Sequence, residues 1–186
     1  MGDVVVTEFI TLDGVIEDPG GAEGGSNGGW AFNFDRGPDG DRFKLDELMA
    51  ADAQLLGRVT YEGFAKAWPS MRGDQFGERM NAMPKVVVST TLAVATWENS
   101  TILRTLEGVA DLKRQYEGDI LLAGSATLAQ ALLARDLVDR LHLMVFPILL
   151  GGGKKLFADE GDAKRFEVTS VRQSADVAIV TLTALS

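Results

Sequence analysis

The sequence contains no cysteine and a single histidine, His142. The first absence excludes a disulfide scaffold, a thiol nucleophile and any thiolate-ligated metal or iron–sulfur site. The second argues against a zinc enzyme and obliges any Ser-His-Asp triad to use His142. Basic residues are also scarce: 18 Lys and Arg against 27 Asp and Glu give a net charge of −9. No Lys/Arg-rich run occurs, so an extended nucleic-acid or anionic-membrane surface is not expected. No apolar stretch approaches the roughly 18 residues of a membrane span. The acidic start at Asp3 does not read as a secretory leader, and a cytoplasmic location is expected. What remains is an ordinary globular composition, 46% hydrophobic and 24% charged, over 186 residues. Disorder is excluded on that composition, and one domain over 1–186 is expected.

Residues 4–10 are β-branched and read as a buried strand. Residues 13–40 then turn glycine-rich, with eight glycines from Gly20 to Gly40. So long an excursion in a compact domain is usually functional or mobile. Trp30, Phe32 and Phe34 alternate within it and need something to cover. Apolar spacing predicts helices over 41–52, 60–68, 75–83, 106–116 and 125–135. Strands are predicted over 53–56, 85–89, 101–103, 119–123 and 138–148, with a terminal hairpin over 166–174 and 177–185. Strands alternating with helices imply parallel pairing, and the hairpin adds antiparallel strands. The fold class is α/β with a mixed sheet.

Two strand-to-helix junctions carry the strongest chemical signal. At Gly57-Arg58-Val59-Thr60, a helix N-terminus offers unpaired N–H groups, Arg58 a guanidinium fork and Thr60 a hydroxyl. The plain alternative is an ordinary βα turn with Thr60 as a helix cap and Arg58 solvated. At Gly124-Ser125-Ala126-Thr127 a second junction suits close approach of a pyrophosphate, although the full G-x-G-x-x-G fingerprint is absent. Here the plain alternative is Ser125 as an N-cap. A phosphate-bearing ligand lying across both turns explains both, since ligands of open α/β sheets bind beyond the strands' carboxyl ends. Ser89 and Thr90, with Arg58 and Arg104, offer a site for one more phosphate. Asp13-Gly14 marks a turn. Residues 147–157 hold three glycines and two lysines but miss the P-loop pattern, because Lys155 stands where Ser or Thr is required.

In order along the chain, TLDGVIEDPG, ADAQLLGRVTYEGFAKAWP, KVVVSTTL, WENSTIL and DILLAGSATLAQALLARDLVDRLHLMVFPILLGGGKKLF resemble the dihydrofolate reductase-like superfamily. The likeness is closest to stand-alone bacterial proteins similar to the reductase domain of riboflavin biosynthesis. It implies a three-layer fold with a mostly parallel central sheet, NADPH as cofactor and a homodimer. It further implies that Gly57, Arg58 and Thr60 bind cofactor phosphates and that Ser89 and Thr90 lie at the adenosine 2′-phosphate. Gly124, Ser125, Ala126 and Thr127 would lie under the pyrophosphate, and Leu12, Asp13, Gly14 and Ile16 beside the nicotinamide. Residues 17–40 would form a mobile loop. Asp41 stands near the pterin-binding carboxylate of dihydrofolate reductases. Its surroundings depart from that pattern, and Ser125 replaces the usual glycine, which argues against folate reduction. The zinc signature of the deaminase domain is missing.

These readings define an NADPH-dependent reductase of a small pyrimidine-like, pterin-like or carbonyl substrate, similar to 5-amino-6-(5-phosphoribosylamino)uracil reductase. Asp13, Asp41 or water would supply the proton, and Trp30 and Phe32 would line the substrate pocket, unless those aromatics only anchor the loop. Two competing readings are a non-catalytic NADP(H)-binding sensor and a hydrolase pairing Ser125 with His142. The apolar neighbours of His142 favour a structural histidine over a catalytic base.

Overall fold

The computed structural model describes residues 1–22 and 24–185. Eight strands form one sheet, in the order β4-β3-β2-β5-β1-β6-β8-β7. β1 (Val4–Thr11) is central, with β5 (Asp119–Ala123) parallel on one side and β6 (Arg140–Phe146) parallel on the other. β2 (Ala51–Gly57), β3 (Lys85–Val88) and β4 (Ser100–Leu103) extend the parallel part. The hairpin of β7 (Phe166–Ser174) and β8 (Val177–Ala184) closes the other edge antiparallel. The run of valines in β1 follows from this placement, because a central parallel strand is buried on both faces.

α1 (Gly37–Ala50), α2 (Arg58–Ala67) and α3 (Gln75–Ala82) cover one face of the sheet, packing Leu48, Tyr61 and Met80 on Val5, Leu56, Val87 and Leu121. α4 (Gly108–Gln115) and α5 (Ala126–Ala134) cover the other with Val109, Leu112, Leu128 and Leu132. A smaller cluster joins Trp30 and Ala31 to Met144, Phe146, Val177 and Ile179. Among the described residues no helix is long and apolar enough to cross a membrane.

Several boundaries differ from the sequence expectation: β2 takes Ala51 and Asp52 from the expected helix 41–52, and two further differences have plain physical reasons. α1 starts at Gly37, ahead of the expected 41, because Gly37 takes a positive φ of 66° and Pro38 suits the first turn. β6 is shorter than 138–148 because Asp139 turns aside to accept the Val4 amide and pair with Lys113, and Pro147 follows the strand's end.

The glycine-rich segment is tied down at two points. The Asp18 carbonyl accepts the amides of Gly21 and Gly29, and its carboxylate accepts that of Gly25. The Trp30 indole donates to the Glu17 carbonyl at 2.8 Å and meets the Phe146 ring edge-on at 5.2 Å.

Candidate functional site: a cleft across two strand-to-helix turns

A cavity of about 600 Å³ runs along the carboxyl ends of β2, β3, β4 and β5. That is ample for a nucleotide-sized ligand. Its walls include Ile16, Gly57, Arg58, Thr60, Ser89, Thr90, Arg104, Gly124, Ser125, Ala126 and Thr127, so the structure brings most of the expected cofactor residues to one cleft. Leu12 and Gly14 are not in its wall. Leu12 is 61% exposed, and Gly14, at φ 82°, makes the turn that links Thr11 to Leu156.

The two turns are locked to each other. Ser125 Oγ accepts the Gly57 amide at 2.8 Å and donates to Thr60 Oγ1 at 2.8 Å. A Cβ on Gly57 would stand 2.8 Å from Ser125 Oγ, and one on Gly124 would stand 2.9 Å from Thr60 Cγ2. Both glycines therefore serve the fit of turn to turn. Gly124 also needs its positive φ of 68°. Ser125 itself sits left-handed at φ 62°, a costly conformation for a side-chain-bearing residue. Ser125 does stand at the N-cap position of α5, but its hydroxyl makes no capping bond there, and Thr60 does not cap α2. The first-turn amides of α2 and α5 face this junction with no intrahelical acceptor, which makes it a place for negative charge.

At the far end Arg104 braces a small turn, donating to the carbonyls of Ser89 at 3.0 Å and Leu92 at 2.8 Å. Ser89 Oγ accepts the amides of Thr91 and Leu92. Arg58 lies across Glu62 at 2.9 Å, with both side chains more than 40% exposed, as the plain alternative of a solvated Arg58 expects, and it also lines the cavity. Sequence reasoning missed Glu17, Arg135 and Lys154, which also line the cavity. Lys154 pairs with Glu17 at 3.3 Å, and its carbonyl accepts the Ile16 amide. Long-range bonds from residues 13–17 bring the 151–155 turn to the cleft, and no local pattern signals them.

The other expected site residues lie outside the cavity wall. Asp13 Oδ1 accepts Thr11 Oγ1 at 2.6 Å and the Leu150 amide, and Oδ2 accepts the Gly151 amide at 2.7 Å. The Thr11 hydroxyl above all, then the Gly151 amide, lowers its pKa to about 2. Held in this way, Asp13 clamps its turn, outside the cavity wall. Asp41 is 62% exposed and paired with Arg36 at 2.7 Å. Trp30 is only 2% exposed inside the apolar cluster, so its ring has no open face for stacking, and Phe32 is 80% exposed. For these two aromatics the anchoring alternative fits Trp30, and neither walls the cleft. Ser125 and His142 are held by different partners, since His142 Nδ1 lies 3.0 Å from Glu47 Oε2, and no hydrolytic pair forms.

The fold and the cleft define an α/β protein with two glycine turns and two helix N-termini at the carboxyl ends of its parallel strands. The chain belongs to the RibD C-terminal domain family, whose model matches residues 3–180. It is 29% identical over 165 residues to the uncharacterized protein YyaP of Bacillus subtilis (strain 168), covering 84% of this chain and 80% of that one. Its fold is similar to a protein of Shewanella sp. PV-4 ascribed to riboflavin biosynthesis, at a TM-score of 0.76 and 21% identity over 99% of both chains. It is also similar to dihydrofolate reductase from Enterococcus faecalis complexed with NADP(H), at a TM-score of 0.61 and 17% identity, covering 100% of this chain and 98% of that one. The dihydrofolate reductase-like fold, mostly parallel with a C-terminal antiparallel hairpin, is thereby shown, and family and fold are those of reductases.

Proposed function

We propose that residues 1–186 form one NADPH-dependent reductase domain acting on a small pyrimidine-like, pterin-like or carbonyl substrate. The observation that carries this reading is the interlocked pair of turns, Gly57–Thr60 and Gly124–Thr127, at the head of a cleft of about 600 Å³. The residues fit the cofactor. The two helix N-termini and the glycine turns suit a pyrophosphate. Arg58, with Ser89 and Thr90, suits a 2′-phosphate, and Arg104 shapes the turn that presents them. Ile16 and the Glu17–Lys154 pair line the cavity as well and would stand beside the nicotinamide. When bound, the cofactor supplies a hydride, and the protein's part is orientation and electrostatics.

The exposed valines of the edge strand β7, Val168 at 57% and Val171 at 64%, support a homodimer, which light scattering at micromolar concentration tests. A monomer mass would contradict that part alone.

The test of function is NADPH oxidation against pterin, pyrimidine and quinone acceptors. Turnover of at least one acceptor is expected, and its loss in variants that no longer bind NADPH. Tight NADPH binding with no turnover of any class would favour the non-catalytic sensor.

A further inference from the structure

Asp13 is committed to its turn and Asp41 to Arg36, so neither is placed to give a proton. A different set of polar groups gathers on the sheet itself. Thr7, in β1, is 4% exposed, and Glu47, in α1, is 5% exposed in its side chain. Thr7 Oγ1 donates to Glu47 Oε1 at 2.7 Å and accepts from Lys44 Nζ at 2.7 Å. Lys44 Nζ also pairs directly with Glu47 Oε1, while Glu47 Oε2 faces His142 Nδ1 at 3.0 Å. Burial alone would raise the Glu47 pKa. The Lys44 charge and the hydrogen bonds from His142, Lys44 and Thr7 outweigh it and hold the carboxyl below its ordinary range.

None of the four joins the cavity wall, but the register puts Thr7 beside it. The last pair of the β1–β5 ladder is Thr7 with Ala123, after which β1 runs on to Thr11 against β6 alone. The next residue of the β5 chain, Gly124, lines the cavity. The sheet therefore parts immediately beyond Thr7. Lys44 lies at the root of that parting, with Nζ 5.3 Å from the ring centroid of Phe9, the next β1 residue on the same face. Reduction of a C=O or C=N bond leaves an electron pair on the heteroatom, which must take up a proton. The Lys44 ammonium has three protons, and Thr7 and Glu47 engage two.

We propose that Lys44 is the proton donor of the reduction, held by Thr7 and Glu47, with His142 a positioning residue behind Glu47. This rests on the reductase reading above. As hydride from a bound dihydronicotinamide enters the acceptor carbon, the π pair moves to the heteroatom. That atom takes a proton from Lys44 Nζ, and the neutral amine regains one from water. The charged and titratable groups around Lys44 are Glu47 on its own helix, Arg36 ahead of it across Phe9, His142 from β6, and Arg172 from β7 over Phe43.

The test uses the full chain with NADPH and three acceptors: 9,10-phenanthrenequinone, 7,8-dihydrobiopterin, and N-methylacridinium, which accepts hydride without a proton. Lys44→Met should lower kcat for the first two by about a hundredfold, with NADPH affinity and acridinium reduction unchanged. Lys44→Arg keeps the ion pair with Glu47, guards against a folding defect, and should not restore kcat, because a guanidinium does not release its proton. A readout independent of turnover is the Lys44 13Cε signal of the free protein at one pH. Glu47→Gln removes the carboxylate that pairs with Lys44, so that signal should move, and kcat for the first two acceptors should fall with KM little changed. His142→Gln should do the same to a smaller extent, because it acts through Glu47. Unchanged kcat in both Lys44 variants, or equal losses with N-methylacridinium, would overturn the proposal. Failure of the wild type to bind NADPH or to reduce any of the three would instead sink the reductase reading beneath it.

Discussion

Ser125 Oγ lies 2.8 Å from the Gly57 amide nitrogen, a hydrogen bond between residues 68 apart in sequence. The same oxygen donates to Thr60 Oγ1, so one hydroxyl sets the spacing of two helix N-termini. Ser125→Ala leaves the Gly57 amide without this acceptor and keeps the left-handed backbone at 125. Stability should fall by about 1–3 kcal/mol, and NADPH affinity with it. Ser125→Gly loses the same bond but relieves the backbone, and should cost less. Urea unfolding of both variants checks the order. If Ala were no worse than Gly, the conformational part of the argument would fail.

If the cleft takes NADPH as proposed, Arg58 sets the preference over NADH. Truncating it should weaken NADPH by about 1.5–3 kcal/mol, on the order of tenfold or more, and weaken NADH less. Its partner Glu62 competes for the guanidinium at 2.9 Å, so Glu62→Gln should tighten NADPH modestly. Calorimetric titration of each variant with both cofactors measures the difference, and equal losses for the two in Arg58→Ala would remove the 2′-phosphate role.

Asp13 links stability to acid. Its folded pKa of about 2 lies below the ordinary 3.8. A depressed carboxylate contributes stability that is fully present above the ordinary value and is lost as pH falls through the folded one. Unfolding should therefore become easier between about pH 4 and pH 2, and Asp13→Asn should flatten that part of the profile. Carboxyl NMR titration reads the value directly, and an ordinary Asp13 pKa would contradict the clamp.

Trp30 and Phe32 should behave as opposites despite their spacing. Trp30 is buried against Phe146, and Trp30→Ala should cost about 3–5 kcal/mol of stability. Phe32 is 80% exposed, and Phe32→Ala should change stability by no more than about 0.5 kcal/mol. Thermal unfolding separates the two, and a mild Trp30→Ala would return that ring to the candidate pocket.

The strands and helices were legible because the sheet is central and parallel. Runs such as Val4 to Val6 and Ile120 to Leu122 are buried on both faces and leave an unmistakable apolar pattern. The turns at Gly57 and Gly124 were legible because a strand end, a glycine and a helix start fall within a few residues. What lay hidden depends on pairings remote in sequence. Lys154 reaches the cleft through Ile16 and Glu17, and Thr7, Lys44, Glu47 and His142 come from β1, α1 and β6. Alternation of Trp30 and Phe32 could not tell an inward ring from an outward one, because the short 3-10 turn of Trp30–Asn33 sets their directions.

The most direct test of the account is an NADPH titration of the wild-type chain followed by backbone amide NMR. Saturable binding, at least about tenfold tighter than NADH, should shift the amides of Gly57, Arg58, Ser89 and Gly124 through Thr127 before others. No saturable binding, or shifts centred away from these two turns, would contradict the assignment of the cleft.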